Sequence, residues 1–161
     1  YEGWSRFQSI QNNFSLLNRR FMDELANVCR QEQVSLLPYS PLGGGVLSGK
    51  YNFGEVPLNS RFADYRQSGE TRQRAMADRF LNEATLASTA RYLEIAGAAG
   101  LAPVTLATAW SMQHAFVAST IIGARTAEQL EDSLAALDVT LDDEVLRQCD
   151  AVHTQILYPM G

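Results

Sequence analysis

Short strand-like runs alternate with helical patterns along this chain, and that alternation restricts the fold more than any other feature. RFQSIQ (6–11) alternates apolar and polar side chains between polar borders and reads as a strand. VSLLPYS (34–40) is a short apolar run closed by proline and serine, the pattern of a buried strand. VASTIIG (117–123) is β-branched and ends in glycine. Between the first two runs, NRRFMDELANVCRQEQ places Phe21, Leu25, Val28 and Cys29 on one helical face. Strand–helix–strand order predicts right-handed βαβ units and a parallel sheet, an α/β fold. Three parallel strands with two open edges make a poor independent domain, so the chain reads as part of something larger.

From about Arg72 the pattern is helical. Leu86, Ala90, Leu93 and Gly97 mark one stripe, with Gly100 as its C-terminal stop. Pro103 opens a second helix, VTLATAWSMQ, where Trp110 reads as core. Thr126 and Gln129 form a capping-box pattern ahead of a helix carrying Leu130, Leu134 and Leu137. A last helix from about Asp142 presents Val145, Cys149 and Val152 on one face. The polar stretch NFGEVPLNSRFADYRQSGE (52–70) is expected to be a long loop, of the kind that serves as a lid.

The 161 residues suffice for one domain with a core. Apolar residues at 46% and charged residues at 19% are ordinary for a soluble globular protein. A net charge of −5 gives no general attraction to nucleic acid or an anionic membrane, so any anion site must be local. No apolar run approaches the roughly 20 residues of a membrane-spanning helix. The first residues lack the pattern of a signal peptide. The expected location is cytoplasmic. Cys29 and Cys149 sit in helical patterns without metal or disulfide spacing and are expected to be reduced thiols; no metal site is expected.

PYSPLGGGVLSGKY (38–51) is the stretch with chemistry in it. Gly44 to Gly49-Lys50 has the G-x-x-x-x-G-K spacing of a triphosphate loop, but Tyr51 stands where a serine or threonine hydroxyl would ligate magnesium. Pro41 ahead of the glycines also argues for a different turn. A glycine-dense turn after a strand still suits a phosphate of another kind.

SIQNNFSLLNR, PYSPLGGGVLSGKY and IIGARTAEQLEDSLAAL, in that order and spacing, resemble the C-terminal half of an aldo-keto reductase. The resemblance covers nearly the whole chain. It implies strands six to eight, with their helices, of a (β/α)8 TIM barrel, residues 1–161 forming the C-terminal half with the N-terminal half absent. It also implies NADP(H), extended across the C-terminal ends of the barrel strands, where such barrels place their sites. By this resemblance Gln11 ends strand six and hydrogen-bonds the nicotinamide carboxamide, and Tyr39 stacks on the nicotinamide. Ser40, Pro41, Leu42, Gly44 and Lys50 belong to the turn lining the pyrophosphate, the glycines permitting close approach and Lys50 adding charge. Arg61 matches an arginine that reaches the diphosphate in the potassium-channel β-subunit branch. Gly123, Arg125, Gln129, Asp132 and Ser133 match the segment that holds the 2′-phosphate and adenine at a helix start, Arg125 favouring NADP over NAD. Gln129 serves there either as cap or as ligand. The family often has Glu-Asn where this chain has Asp132 and Ser133.

No catalytic residue is assigned. The family's aspartate, tyrosine, lysine and histidine come from the first half of the barrel, upstream of residue 1, as does the serine–asparagine pair of strand five. His114 and His153 are isolated and read as surface or helix-end histidines. The resemblance implies reduction of an aldehyde or ketone by the complete barrel, this chain supplying the cofactor-binding half and a small carbonyl compound being the substrate. The alternatives are a non-catalytic NADP-binding regulatory subunit or an inactive truncated fragment. Open edges predict self-association or pairing with the missing barrel half.

Overall fold

Two adjacent parallel strands, β1 (Ser9–Asn13) and β2 (Ser35–Tyr39), carry the sheet in a computed structural model that describes residues 3–54 and 56–160. The ends of the predicted span 1–161, and Glu55, lie outside the described residues. The register runs from Ser9 opposite Ser35 to Asn13 opposite Tyr39. β1 starts three residues later than its sequence pattern predicts and extends past Gln11, because the ladder follows its partner. The first bond of that ladder is Ser35 N–H to the Gln8 carbonyl (3.1 Å), so Arg6 and Phe7 have nothing to pair with on β2.

The crossover is a 3-10 turn (Arg20–Met22) followed by α1 (Leu25–Glu32), stopped by Gln33 in a left-handed conformation (φ 54°). Phe21 and Cys29 are buried as expected, but Leu25 and Val28 are exposed and Ala26 takes the inner position. The 3-10 turn breaks the uniform helical period on which the predicted face rests.

The third predicted strand is only a ragged partner of β2. Leu36 pairs with Val117 and Tyr39 with Ile121, so three steps on β2 face four on the third segment. The extra residue acts as a bulge and interrupts the ladder. Proline explains where. Leu36 N–H donates to the Phe116 carbonyl (2.7 Å), and Pro38, two residues on and aimed the same way, has no N–H to give. The ladder resumes with Ile121 N–H to the Pro38 carbonyl (2.7 Å).

The stretch 52–70 is not all loop. Ser60 accepts from Ala63 N–H and caps α2 (Arg61–Gln67), which buries Phe62 and Ala63. After α3 (Thr71–Phe80), α4 (Glu83–Ala98) packs against α5 (Pro103–Met112) and α7 (Asp143–Gln155). The inner face of α4 is Thr85, Ser88, Thr89, Tyr92, Ile95 and Ala96, not the predicted Leu86–Gly97 stripe. Small hydroxyl residues let the neighbouring helices approach, and hydropathy does not mark them. Gly100 (φ 67°) closes α4 as predicted, with Leu101 N–H bonding the Ala96 carbonyl and Gly100 N–H the Gly97 carbonyl. α6 (Glu128–Leu134) starts from Ala127 rather than a capping threonine, and Gln129 Oε1 accepts from Arg125 N–H (3.0 Å), one residue earlier than a capping box requires. It runs into a 3-10 turn (Ala135–Asp138), which buries Ser133 and Ala136 and leaves Leu134 and Leu137 exposed. In α7, capped by Asp142, Cys149 and Val152 are buried as expected. Both cysteines are free.

The core is aromatic where β1 ends. Phe14 meets Trp110 (4.9 Å between ring centres), His114 (5.0 Å) and Phe116 (5.6 Å). Arg19, also buried, lays its guanidinium 4.4 Å from the Trp110 ring centre and reaches Asp150 Oδ1 (2.5 Å) and the Cys149 carbonyl (2.8 Å). His114, two residues past α5, is therefore the helix-end histidine of the two expected readings, half-buried against these rings. Burial, with the Arg19 charge adding, pushes its pKa down from 6.5 to about 4 against an opposing pull from Asp150.

Two outcomes follow for stability. Asp150→Ala strands a buried cation and should cost about 2–4 kcal/mol in urea unfolding, more than Arg19→Met, which removes that cation. His114 is neutral in both states above about pH 6.5. Between there and about pH 4 the unfolded chain gains a proton that the folded one refuses, so stability should fall by roughly 3 kcal/mol. An acid-unfolding series on His114→Phe should show most of that loss removed.

Candidate functional site

The C-terminal ends of the parallel strands gather most of the residues singled out above. Leu36 and Pro38 face the helices and are buried, so Tyr39, Leu37 and, by register, Gln11 and Asn13 share the opposite, open face. Tyr39 is 42% exposed, a large ring left bare at the end of a strand. Gln11 sits mid-strand opposite Leu37 rather than at the strand end, exposed on that face.

The chain then makes a turn that L-residues resist. Ser40 has φ 59°, and Gly43, Gly44 and Gly45 follow at 55°, 68° and 94°. Ser40 holds its strained conformation through its own carbonyl, which accepts from Gly43 N–H (2.9 Å), and its Oγ, which accepts from Gly44 N–H (3.1 Å). Gly45 N–H goes to the Leu42 carbonyl (2.9 Å). All three glycine amides are thus taken within the turn. Its openness to an anion comes from the missing side chains and from Lys50, not from free N–H groups.

Lys50 is the one lysine in the sequence. Its Nζ lies 3.3 Å from where a Cβ would stand on Gly45 and 5.2 Å from the Tyr51 ring centre. Tyr51 itself is buried, its ring 5.5 Å from that of Phe62, so it is core and not a metal ligand. Lys50 opens a turn and the next helix starts only at Arg61, which removes the triphosphate-loop reading on geometry as well as composition.

α2 links this turn to the segment after the third strand run. Phe62 lies under Gly44, its Cζ 2.7 Å from a would-be Cβ. At the start of the same helix, the Asn59 carbonyl accepts from Arg125 Nη1 (3.2 Å), and Asp64 Oδ2 is 4.0 Å from that nitrogen. Arg61, the first residue of α2, is exposed beside these groups. Gln129 belongs with Arg125 through its bond to that residue's N–H, and Gly123 is exposed two residues before it. Asp132 is exposed, its carbonyl held by Thr105 Oγ1 (2.8 Å), but Ser133 is buried and lines a groove with Thr108 and Met112, so the structure does not bring it to the strand-end cluster. Asn59 and Asp64 escaped the sequence reading. The signal available for them was Ser60 standing as a cap before an aromatic pair, Phe62 and Tyr65. Among the described residues no group of histidine, cysteine, aspartate and glutamate is arranged to hold a metal ion, and no single helix is long and apolar enough to cross a membrane.

The sequence profile of the Aldo/keto reductase family matches residues 1–154. The chain belongs to that family. It is 41% identical over 160 residues to the protein Tas of Escherichia coli K12, covering 96% of this chain and 42% of that one. It is 33% identical to the L-glyceraldehyde 3-phosphate reductase of the same strain, over 87% of this chain and 40% of that one. A probable voltage-gated potassium channel subunit beta of Oryza sativa is 36% identical over 74% of this chain and 35% of its own. The chain thus spans about two-fifths of the length of these relatives. The family's fold is a (β/α)8 barrel, and the parallel strands with crossover helix are of that kind.

Gly44→Ala tests the turn directly. A methyl at φ 68° against Phe62 should destabilise the protein by about 1–3 kcal/mol, read as a shift in urea midpoint, whereas Gly69→Ala, in open space, should be near neutral.

Proposed function

We propose that this chain forms the cofactor-binding half, strands six to eight, of an NADP(H)-dependent aldo-keto reductase barrel that reduces an aldehyde or ketone to an alcohol. The observation that carries this reading is the bare Tyr39 ring at a strand end, directly followed by three left-handed glycines beside the chain's only lysine. An exposed aromatic plane next to an anion-tolerant turn fits a nicotinamide joined to a pyrophosphate. When bound, NADPH would supply the hydride. The chain's own residues would bind and orient: Tyr39 by stacking, Gln11 through its amide on the same face, Ser40 through its hydroxyl hydrogen and Lys50 through its charge. Arg61 and Arg125 would take the outer phosphates. Arg125 is free to do so at little cost, because its present ion pair is exposed on both sides. The proton donor and its partners would come from outside these residues. A small carbonyl substrate and a cytoplasmic location accompany the reading. The likeness to a channel subunit beta supports a second one, in which the same cofactor is sensed rather than turned over.

In fluorescence titrations, NADPH should bind saturably and more tightly than NADH. Arg125→Ala should weaken NADPH by roughly 1–2 kcal/mol, about tenfold, and leave NADH nearly unchanged. Equal affinity for the two nucleotides before mutation would remove the 2′-phosphate assignment. Because Lys50 is unique, an amine-reactive probe mapped to that residue by mass spectrometry should be excluded by NADPH. Turnover of short-chain aldehydes by the complete barrel separates the reductase from the sensor.

A further inference from the structure

Beyond α7, Pro159 and Met160 lie against the α3–α4 corner and beside the glycine turn. Tyr158 sits at φ 47°, a conformation that a tyrosine keeps only when its surroundings over-determine it. Three contacts do so. Its hydroxyl donates to Asp23 Oδ2 (2.7 Å), the Arg20 guanidinium stands 4.5 Å from its ring centre, and His153 meets its ring at 5.5 Å. The next two carbonyls are then gripped by the α3–α4 corner. Asn82 Nδ2 (2.8 Å) and Thr85 Oγ1 (3.0 Å) donate to the Pro159 carbonyl, and Arg79 Nε (2.6 Å) donates to that of Met160. Asn82 does this while its Oδ1 caps α4 by accepting from Thr85 N–H (2.9 Å).

These anchors deliver one side chain to one place. Met160 is buried, and its sulfur lies 3.9 Å from the point where Gly43 would carry a Cβ, with Leu17 Cδ1 at 2.9 Å. Gly43 is the first of the three left-handed glycines. A run of glycines has more conformations open to it than any other run, so what packs on the turn adds to its internal hydrogen bonds in holding one conformation. The long, unbranched thioether fills that irregular floor.

We propose that Met160 is a positioning residue for the glycine turn, fastened there by the Pro159 and Met160 carbonyls, and that this strap pre-organises the turn for the pyrophosphate of a dinucleotide. The identity of the ligand rests on the cofactor reading above; the positioning does not.

The test is hydrogen exchange in the protein and its variants, read at the amides of residues 43–49 and, for comparison, at those of β1 and β2. Met160→Ala should speed exchange in the turn about tenfold and leave the strands unchanged. Thr85→Val, which removes one strap donor and keeps its shape, should act the same way, and Met160→Leu should restore protection. In the same variants the Kd for NADPH should rise several-fold, while that for reduced nicotinamide mononucleotide, which lacks the pyrophosphate bridge, stays put. Unchanged exchange in the turn for both Met160→Ala and Thr85→Val, or equal acceleration in the strands, overturns the positioning role. A loosened turn with unaltered NADPH affinity overturns the coupling to the ligand. If the parent protein binds no NADPH, the cofactor reading and the ligand assignment fall together, and the exchange result still decides the strap.

Discussion

A guanidinium with 4% of its side chain exposed is the constraint around which the rest of this structure is arranged. A charge cannot stay in a protein interior without partners, and Arg19 collects them from three directions: the Trp110 face on α5, the Cys149 carbonyl and the Asp150 carboxylate on α7. Arg19 comes six residues after β1, just past the Ser15–Asn18 turn. Its bonds therefore tie the exit of the first strand to the two helices that back the sheet. The surroundings are dry enough to show in three neighbours. Burial pushes the Cys149 thiol up to about 11 and the Tyr92 phenol up as well, and it pushes His114 down. With its thiol so held, Cys149 is an inert part of the packing rather than a nucleophile.

Fixing where β1 ends matters because the strand ends are where the structure is least regular. Pro38 has no N–H, the third strand run carries an extra residue opposite it, and the next residues along β2 are an exposed tyrosine and a left-handed serine. Each is unfavourable alone. Together they open the sheet on one face just where the chain must turn, and the glycines complete the turn without side chains in the way. Their amides are satisfied internally, so an anion placed there is met by shape and by side-chain charge. In a chain of net charge −5, Lys50 stands beside the turn at Gly45.

What the sequence made legible is what local physics decides. The glycine stop at Gly100, the proline opening at Pro103, the aspartate cap at Asp142 and the inward Cys149 and Val152 all follow from one turn of chain and its neighbours. The failures share a cause as well. α2 is a seven-residue helix with no apolar period of its own, and Phe62 gains its place from Gly44 above it. The α4 face is built of threonines and serines whose burial is set by how closely α7 approaches. Of the proposed site, the turn and Arg125 were readable as residues, but not the contact that joins them, since Asn59 and Asp64 carry no motif. The Met160 floor beneath Gly43 joins residues more than a hundred positions apart, and nothing in either segment announces the other.

The same logic explains the side chains that found no cover. Phe7 and Val28 stand exposed beside the free edge of β1, and Leu134 and Leu137 stand exposed along the groove beside the third strand run, at the other edge. Both pairs belong to faces that their own periodicity marks as buried. Apolar faces at the edges of a parallel sheet are the places where a next strand and its helix would pack. A closed barrel has no such edges, because each strand finds a neighbour on both sides. The exposed leucines lie where α6 gives way to a 3-10 turn, so that Ser133 and Ala136 point inward in their place. The glycine turn is held within these residues, by the Ser40 carbonyl and hydroxyl oxygens that accept from Gly43 and Gly44 N–H and by Phe62 beneath Gly44.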